Sequence, residues 1–196
     1  MSRLSEAPEA KQAEVTNELA LIAAAMGFEP NSLKLMAHRP EFVRGFAAMA
    51  GTILGPSARL EPELRQMIAH VTSAAAGCSY CQAHTAHGAE RAGLPAEKIE
   101  ALWTDRDGPL FTARERAAIN LADAAGQVPN QSTDEHFAEL KRHFQEDEIT
   151  EIVAIIAMFG FLNRWNDTLA TTLENHPREF AEAHLATHGW TAGNHT

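Results

Sequence analysis

Only two of the 196 residues are cysteine and only one is tyrosine; valine is sparse, and apolar and polar residues nowhere alternate for long. The last two shortages exclude a β-rich chain, because half-buried strands need period-two patterning and favour branched and aromatic side chains. No cluster of Lys and Arg offsets the formal net charge of −10, so the electrostatic footprint of a nucleic-acid binder is missing. The longest apolar run, residues 152–162, falls short of the ~20 residues that cross a bilayer. Residues 1–8 contain no apolar stretch of the secretory kind. A cytoplasmic, reducing compartment follows as the expectation, with neither nucleic acid nor membrane as a partner. In such a compartment a cysteine pair points to catalysis, redox chemistry or metal binding rather than to a structural staple.

Helical spacing is present instead, in a chain long enough for one domain with its own core. The expectation is an all-α, single-domain helical bundle over residues 1–196, of about nine helices, with a redox core at about 60–93, a C-terminal helical part at about 112–188 and a loose tail at 189–196. An Ala/Leu-rich helix is predicted over 9–26, stopped by Gly27 and Pro30. Pro40 suits the first position of the next helix, where a missing N–H costs nothing. Gly77 is a plausible stop between a helix over 61–76 and one over 78–92 that Gly93 closes. Thr112 and Glu115 form a capping-box pair. A long helix is predicted over 147–173, and His176-Pro177 breaks it.

Both cysteines fall three residues apart, at Cys78 and Cys81, in the run Gly77-Cys-Ser-Tyr-Cys-Gln-Ala-His-Thr-Ala-His87. On a helix this spacing places Cβ atoms ~5–6 Å apart on neighbouring turns, close to what a disulfide needs. A bridge that closes so short a loop stabilises a fold little, yet it can open and close. Zinc is the obvious alternative for Cys78, Cys81, His84 and His87. But four side chains stepping by three along one helix spread over ~13 Å of its axis, too far for one tetrahedral ion to gather all four, so a metal would need two or three of them with ligands from elsewhere. A thioredoxin-like enzyme would need a βαβ setting that this chain does not offer. Two buried structural thiols are the bland alternative, against which stand the polar neighbours Ser79, Gln82 and His84. What fits best is a dithiol enzyme on a helical scaffold. A thiolate attacks a peroxide oxygen, the second cysteine condenses with the sulfenic acid, and a dithiol reductant restores the pair. His84, one turn beyond Cys81, can take a thiol proton near neutral pH. The helix N-terminus by itself would favour Cys78 as the more acidic thiol.

The run Gly77-Cys-Ser-Tyr-Cys-Gln-Ala-His84 resembles the signature of the alkylhydroperoxidase D-like, or carboxymuconolactone decarboxylase-like, family. The likeness is strong over about 60–93 and extends to Phe159-Gly-Phe-Leu-Asn-Arg-Trp-Asn-Asp167, which is similar to the peroxidase-related branch. The resemblance implies an all-helical fold, homo-oligomers, and reduction of a small hydroperoxide by the cysteine pair without metal or other cofactor. The decarboxylase branch lacks the pair. By the family pattern Cys81 attacks, Cys78 resolves and a histidine assists, here His84. Two positions depart from that pattern. Thr85 stands where the family places its histidine, and Gln66 stands where it places the relay glutamate; His70 or Glu63 could take over. The alternatives on the same fold are a dithiol oxidoreductase or another small-molecule enzyme; a redox-responsive binding protein is a third.

Other residues carry more than one reading. His87 reads as a surface or hydrogen-bonded helix histidine or, less favoured, as a catalyst, and Tyr80 as packing or as an entrance residue. The polar group from Asn163 to Asp167 reads as pocket lining, as a subunit contact or as capping.

Overall fold

The computed structural model describes residues 1–196 and contains eleven α-helices, one 3-10 turn and no strand. The helices are α1 (Glu9–Ala13), α2 (Thr16–Met26), α3 (Asn31–Met36), α4 (Pro40–Leu54), α5 (Pro62–Ala75), α6 (Ser79–Arg91), α7 (Ala96–Thr104), α8 (Ala113–Gly126), α9 (Asp134–Leu140), α10 (Glu146–Leu169) and α11 (Asn175–His184). The all-α expectation is met. No helix is long and apolar enough to cross a membrane.

α5 is the central helix, with α6, α8 and α10 packed around it. Its buried face carries Leu64, Met67, Ile68 and Val71, which meet Ile119, Leu121, Ile152 and Ile155 in the main core. α5 and α6 are joined by Gly77, whose φ of 77° lies in the left-handed region that favours glycine. A smaller apolar cluster under the N-terminal helices gathers Val15, Leu33, Met36 and Val43.

Three differences from the expected elements shape the site. The helix predicted over 9–26 is divided at Val15, which is wholly buried in the smaller cluster with a non-helical backbone. The long helix predicted to reach 173 ends at Leu169. Ala170 adopts φ 48°, and its N–H donates back to the carbonyls of Asn166 and Asp167. Residues 170–174 are thereby released from helical geometry and run across the start of α6. Residues 189–196, expected as a loose tail, return to the body of the protein. Trp190 and His195 are buried, and the Leu173 N–H donates to the His195 carbonyl at 2.9 Å.

Candidate redox site at the start of helix α6

Cys78 is the N-cap of α6. Its extended backbone (φ −83°, ψ 100°) turns the sulfur toward the first helical turn, where it accepts the Cys81 N–H at 3.4 Å. A capping sulfur thus occupies the place usually taken by a Ser or Asp oxygen. Both cysteines are free thiols, and both are buried. The neighbouring Cys81 side chain, with burial, pushes the Cys78 thiol well up from its ordinary range. Cys78 therefore holds its proton more tightly than a free thiol does. Cys81 accepts a hydrogen bond from the Asn166 side-chain amide at 3.5 Å, across from α10.

His84 lies on α6 one turn after Cys81, nearly buried, between the rings of Tyr80 (centroids 4.2 Å apart, stacked) and Phe28 (5.3 Å, edge-on). Its Nε2 meets Glu174 Oε2 at 2.6 Å. The other oxygen of Glu174 accepts the Tyr80 hydroxyl at 2.9 Å and the backbone N–H of Asn31. Burial pushes the Glu174 carboxyl up, but the charge and hydrogen bond of His84, with the Asn31 N–H, outweigh it and hold the group below the usual carboxylate range. With Nε2–H donated to Glu174, Nδ1 is the nitrogen left free to accept a proton. Burial beside Glu174 drives the Tyr80 phenol well above its usual range, so it remains a hydrogen-bond donor.

On the other side of the pair, one polar atom from each of Cys78, Asp167 and His195 lies within 4.8 Å of the others. These are metal-ligating residue types. However, His195 Nδ1 bonds the Thr171 carbonyl at 2.9 Å and Nε2 bonds Asp167 Oδ1 at 3.0 Å. Both partners are acceptors, so both ring nitrogens donate and neither offers a lone pair. The geometry is that of an ion-paired imidazolium. Burial opposes its charge, but Asp167, the Cys78 sulfur and the Thr171 carbonyl together raise its pKa to about 9.

The structure brings Cys78, Cys81 and His84 together at one end of α6. It does not bring Glu63, Gln66 or His70 to His84. Glu63 is exposed, and the Gln66 amide packs against Gly88. His70 is buried and fully engaged, with Nε2 accepting the Trp103 indole N–H at 2.7 Å and Nδ1 donating to Thr85 Oγ1 at 3.0 Å. Thr85 in turn donates to the Cys81 carbonyl at 2.7 Å. Burial lowers the His70 pKa to about 4, so it stays neutral and ties α5, α6 and α7 together. The carboxylate at His84 is Glu174, ninety residues away in sequence, which the sequence reading missed. No local signal marks it, because it lies in the loop that α10 frees by ending early. His195 was missed because it lies in the segment 189–196, which reads as a loose tail. Of the polar group on α10, Asn166 and Asp167 face the cysteines, whereas the Arg164 guanidinium only returns to the Gly160 carbonyl at 2.9 Å. His87 is half-buried between Phe28 and Phe180.

The profile of the carboxymuconolactone decarboxylase family matches residues 40–124, a span that contains the cysteine pair. The debrominase Bmp8 superposes with a TM-score of 0.84 at 31% identity, covering 90% of this chain and 95% of that one. A cysteine-to-alanine variant of Bmp8 in complex with 2,3,4-tribromopyrrole gives 0.85 at 30% identity. The alkylhydroperoxidase AhpD core of a peroxidase-related protein from Ralstonia eutropha JMP134 superposes with a TM-score of 0.78 at 25% identity, covering 91% of this chain and 94% of that one. YnjA of Escherichia coli K12 is 30% identical over 111 residues, a match that spans 56% of this chain and 60% of YnjA. The chain belongs to the carboxymuconolactone decarboxylase, AhpD-like family.

Proposed function

We propose that the protein is a thiol-dependent hydroperoxide reductase in which Cys81 attacks, Cys78 resolves and His84 moves the proton. The observation that carries this reading is a pair of free thiols one turn apart at the N-terminus of α6, with a histidine on the next turn whose Nε2 is held by a buried carboxylate. His84 takes the Cys81 proton, with Glu174 fixing its tautomer and balancing the imidazolium charge. The Cys81 sulfur attacks the terminal peroxide oxygen, the O–O bond breaks, and the departing alkoxide takes the proton from His84. Cys81 becomes a sulfenic acid and the peroxide becomes an alcohol. Cys78 then forms the S–S bond as the S–O bond breaks, and its proton leaves with the hydroxyl as water. An external dithiol returns the pair to its reduced state by exchange. The raised pKa of Cys78 supports this division of roles, for a thiol pushed above its ordinary range is a poor first nucleophile.

Titration of the reduced protein with cumene hydroperoxide, read by mass spectrometry, tests the reading. One Cys78–Cys81 disulfide is expected per peroxide consumed. Cys78→Ser should still consume one peroxide and retain one oxygen on Cys81, whereas Cys81→Ser should consume none. Reduced protein that leaves peroxide untouched would refute the proposal.

The likeness to Bmp8 favours a second reading on the same dithiol chemistry, reductive removal of bromine from an electron-rich aromatic ring. There the Cys81 thiolate takes the halogen, the ring carbon takes a proton, and Cys78 displaces bromide from sulfur as the disulfide closes. Release of bromide from tribromopyrrole, with peroxide untouched, would select it.

A further inference from the structure

Two imidazoles lie on the turns around the pair, and in the reading proposed above His84 serves Cys81. The other, His195, arrives from the end of the chain. It is fully buried, its carbonyl holds the Leu173 N–H, and its ring closes a three-membered cluster with Asp167 and Cys78. Both of its nitrogens donate to oxygen acceptors, so the cluster places a cation beside Cys78 and a carboxylate behind the cation. Trp190 pins the same segment by donating its indole N–H to the Ser79 carbonyl at 3.1 Å, in the turn that carries Cys78.

We infer that His195, oriented and charged through Asp167, is the positioning residue for Cys78, and that it favours the Cys78 thiolate in the two steps where that sulfur must carry charge. This deepens the dithiol reading of the same site and rests on it for the steps, though not for the electrostatics. In the fully reduced protein, the neighbouring Cys81 side chain tightens the hold of Cys78 on its proton. Once Cys81 carries oxygen or a disulfide bond, that competition ends and the imidazolium is the charge left beside Cys78.

In the resolving step, the proton of Cys78 leaves with the hydroxyl of the sulfenic acid, and negative charge develops on Cys78 as its S–S bond forms. In the recycling step, the thiolate of an external dithiol attacks the Cys81 sulfur. The S–S bond breaks, and Cys78 leaves with the electron pair as a thiolate paired with His195. The second thiol of the reductant then displaces Cys81, which regains its reduced form while the reductant becomes a disulfide. His195 never touches substrate, and it decides which sulfur is the good leaving group. The other titratable groups facing this corner are Cys81 and Tyr80 on α6, with Glu174 and His84 beyond the Tyr80 ring.

The test is a pH titration of thiolate ultraviolet absorbance in the Cys81→Ser protein, where Cys78 is the sole cysteine. His195→Gln and Asp167→Asn are each added to it. The thiolate midpoint should rise by about one pH unit or more in both, a roughly tenfold lower thiolate fraction at neutral pH. In otherwise intact protein, the same two substitutions should slow disulfide closure after peroxide addition and leave the first oxidation of Cys81 unchanged. Asp167 is 41% exposed, so Asp167→Asn decides the matter if His195→Gln loosens the segment. A Cys78 midpoint that Asp167→Asn does not move overturns the inference. Peroxide left untouched by the intact protein, with the midpoint still shifted, would refute the hydroperoxide reading and leave this one standing.

Discussion

At the scale of single residues, the site depends on which nitrogen of each histidine is already taken. His84 gives Nε2 to Glu174, His70 gives both nitrogens to Thr85 and Trp103, and His195 gives both to oxygen acceptors. Three histidines near one cysteine pair therefore sit in three different settings, and the reading proposed above assigns them proton transfer, cross-linking of helices and fixed positive charge. Glu174→Gln removes the charge that balances a protonated His84 while keeping the shape. Peroxide consumption by the reduced protein is expected to fall by about 10- to 100-fold, as for loss of an orienting carboxylate behind a general base. Stopped-flow peroxide loss checks this. Because the folded pKa of Glu174 is lowered, its stabilising contribution is complete above the unfolded carboxyl range and lost as pH falls through the folded value. Acid melting curves of Glu174→Gln and the parent should accordingly converge at low pH.

At the scale of elements, the turn after α10 does most to assemble the site. Ala170 in the left-handed region stops the helix one turn short of its predicted end, and the following segment presents the Thr171 carbonyl to His195 and the Glu174 carboxylate to His84. The arrangement makes the final segment sensitive to alkali. His195 has a folded pKa near 9, above the unfolded value of about 6.5. Its contribution is thus complete below the unfolded value and lost as pH rises through about 9, a linkage of roughly 2–3 kcal/mol. Hydrogen exchange of amides in residues 189–196 should accelerate beyond its intrinsic base dependence across that window. Asp167→Asn should remove the excess.

At the scale of the whole molecule, the packing of α5 against α6, α8 and α10 holds the two sides of the site in register. One close approach is at the end of α8, where a Cβ added at Gly126 would lie 2.9 Å from both Ala75 Cβ and the Thr72 carbonyl. Backbone on one side of that contact cannot yield cheaply. Gly126→Ala is therefore expected to destabilise the fold by about 1–3 kcal/mol despite alanine's better helix propensity. A urea unfolding curve measures it.

The amino-acid sequence by itself determined what is local to one helix. The spacing of Cys78, Cys81 and His84 puts them on successive turns, Gly77 can turn where other residues strain, and the absence of strand patterning leaves only helices. These relations hold within about two turns of backbone and need no partner. Where the sequence reading looked for a relay partner, it started from the family position, occupied by Gln66, and turned to Glu63 and His70 near it on the same helix, and none of the three reaches His84. Residues 147–173 read as one uninterrupted helix because nothing in their side chains announces a left-handed residue at Ala170. Tertiary structure alone decided that Glu174 joins His84 and that His195 joins Cys78 through Asp167. Both contacts cross from loops near the end of the chain to the start of α6, and buried charges settle wherever packing lets them find opposite charge and hydrogen-bond donors, however distant along the chain.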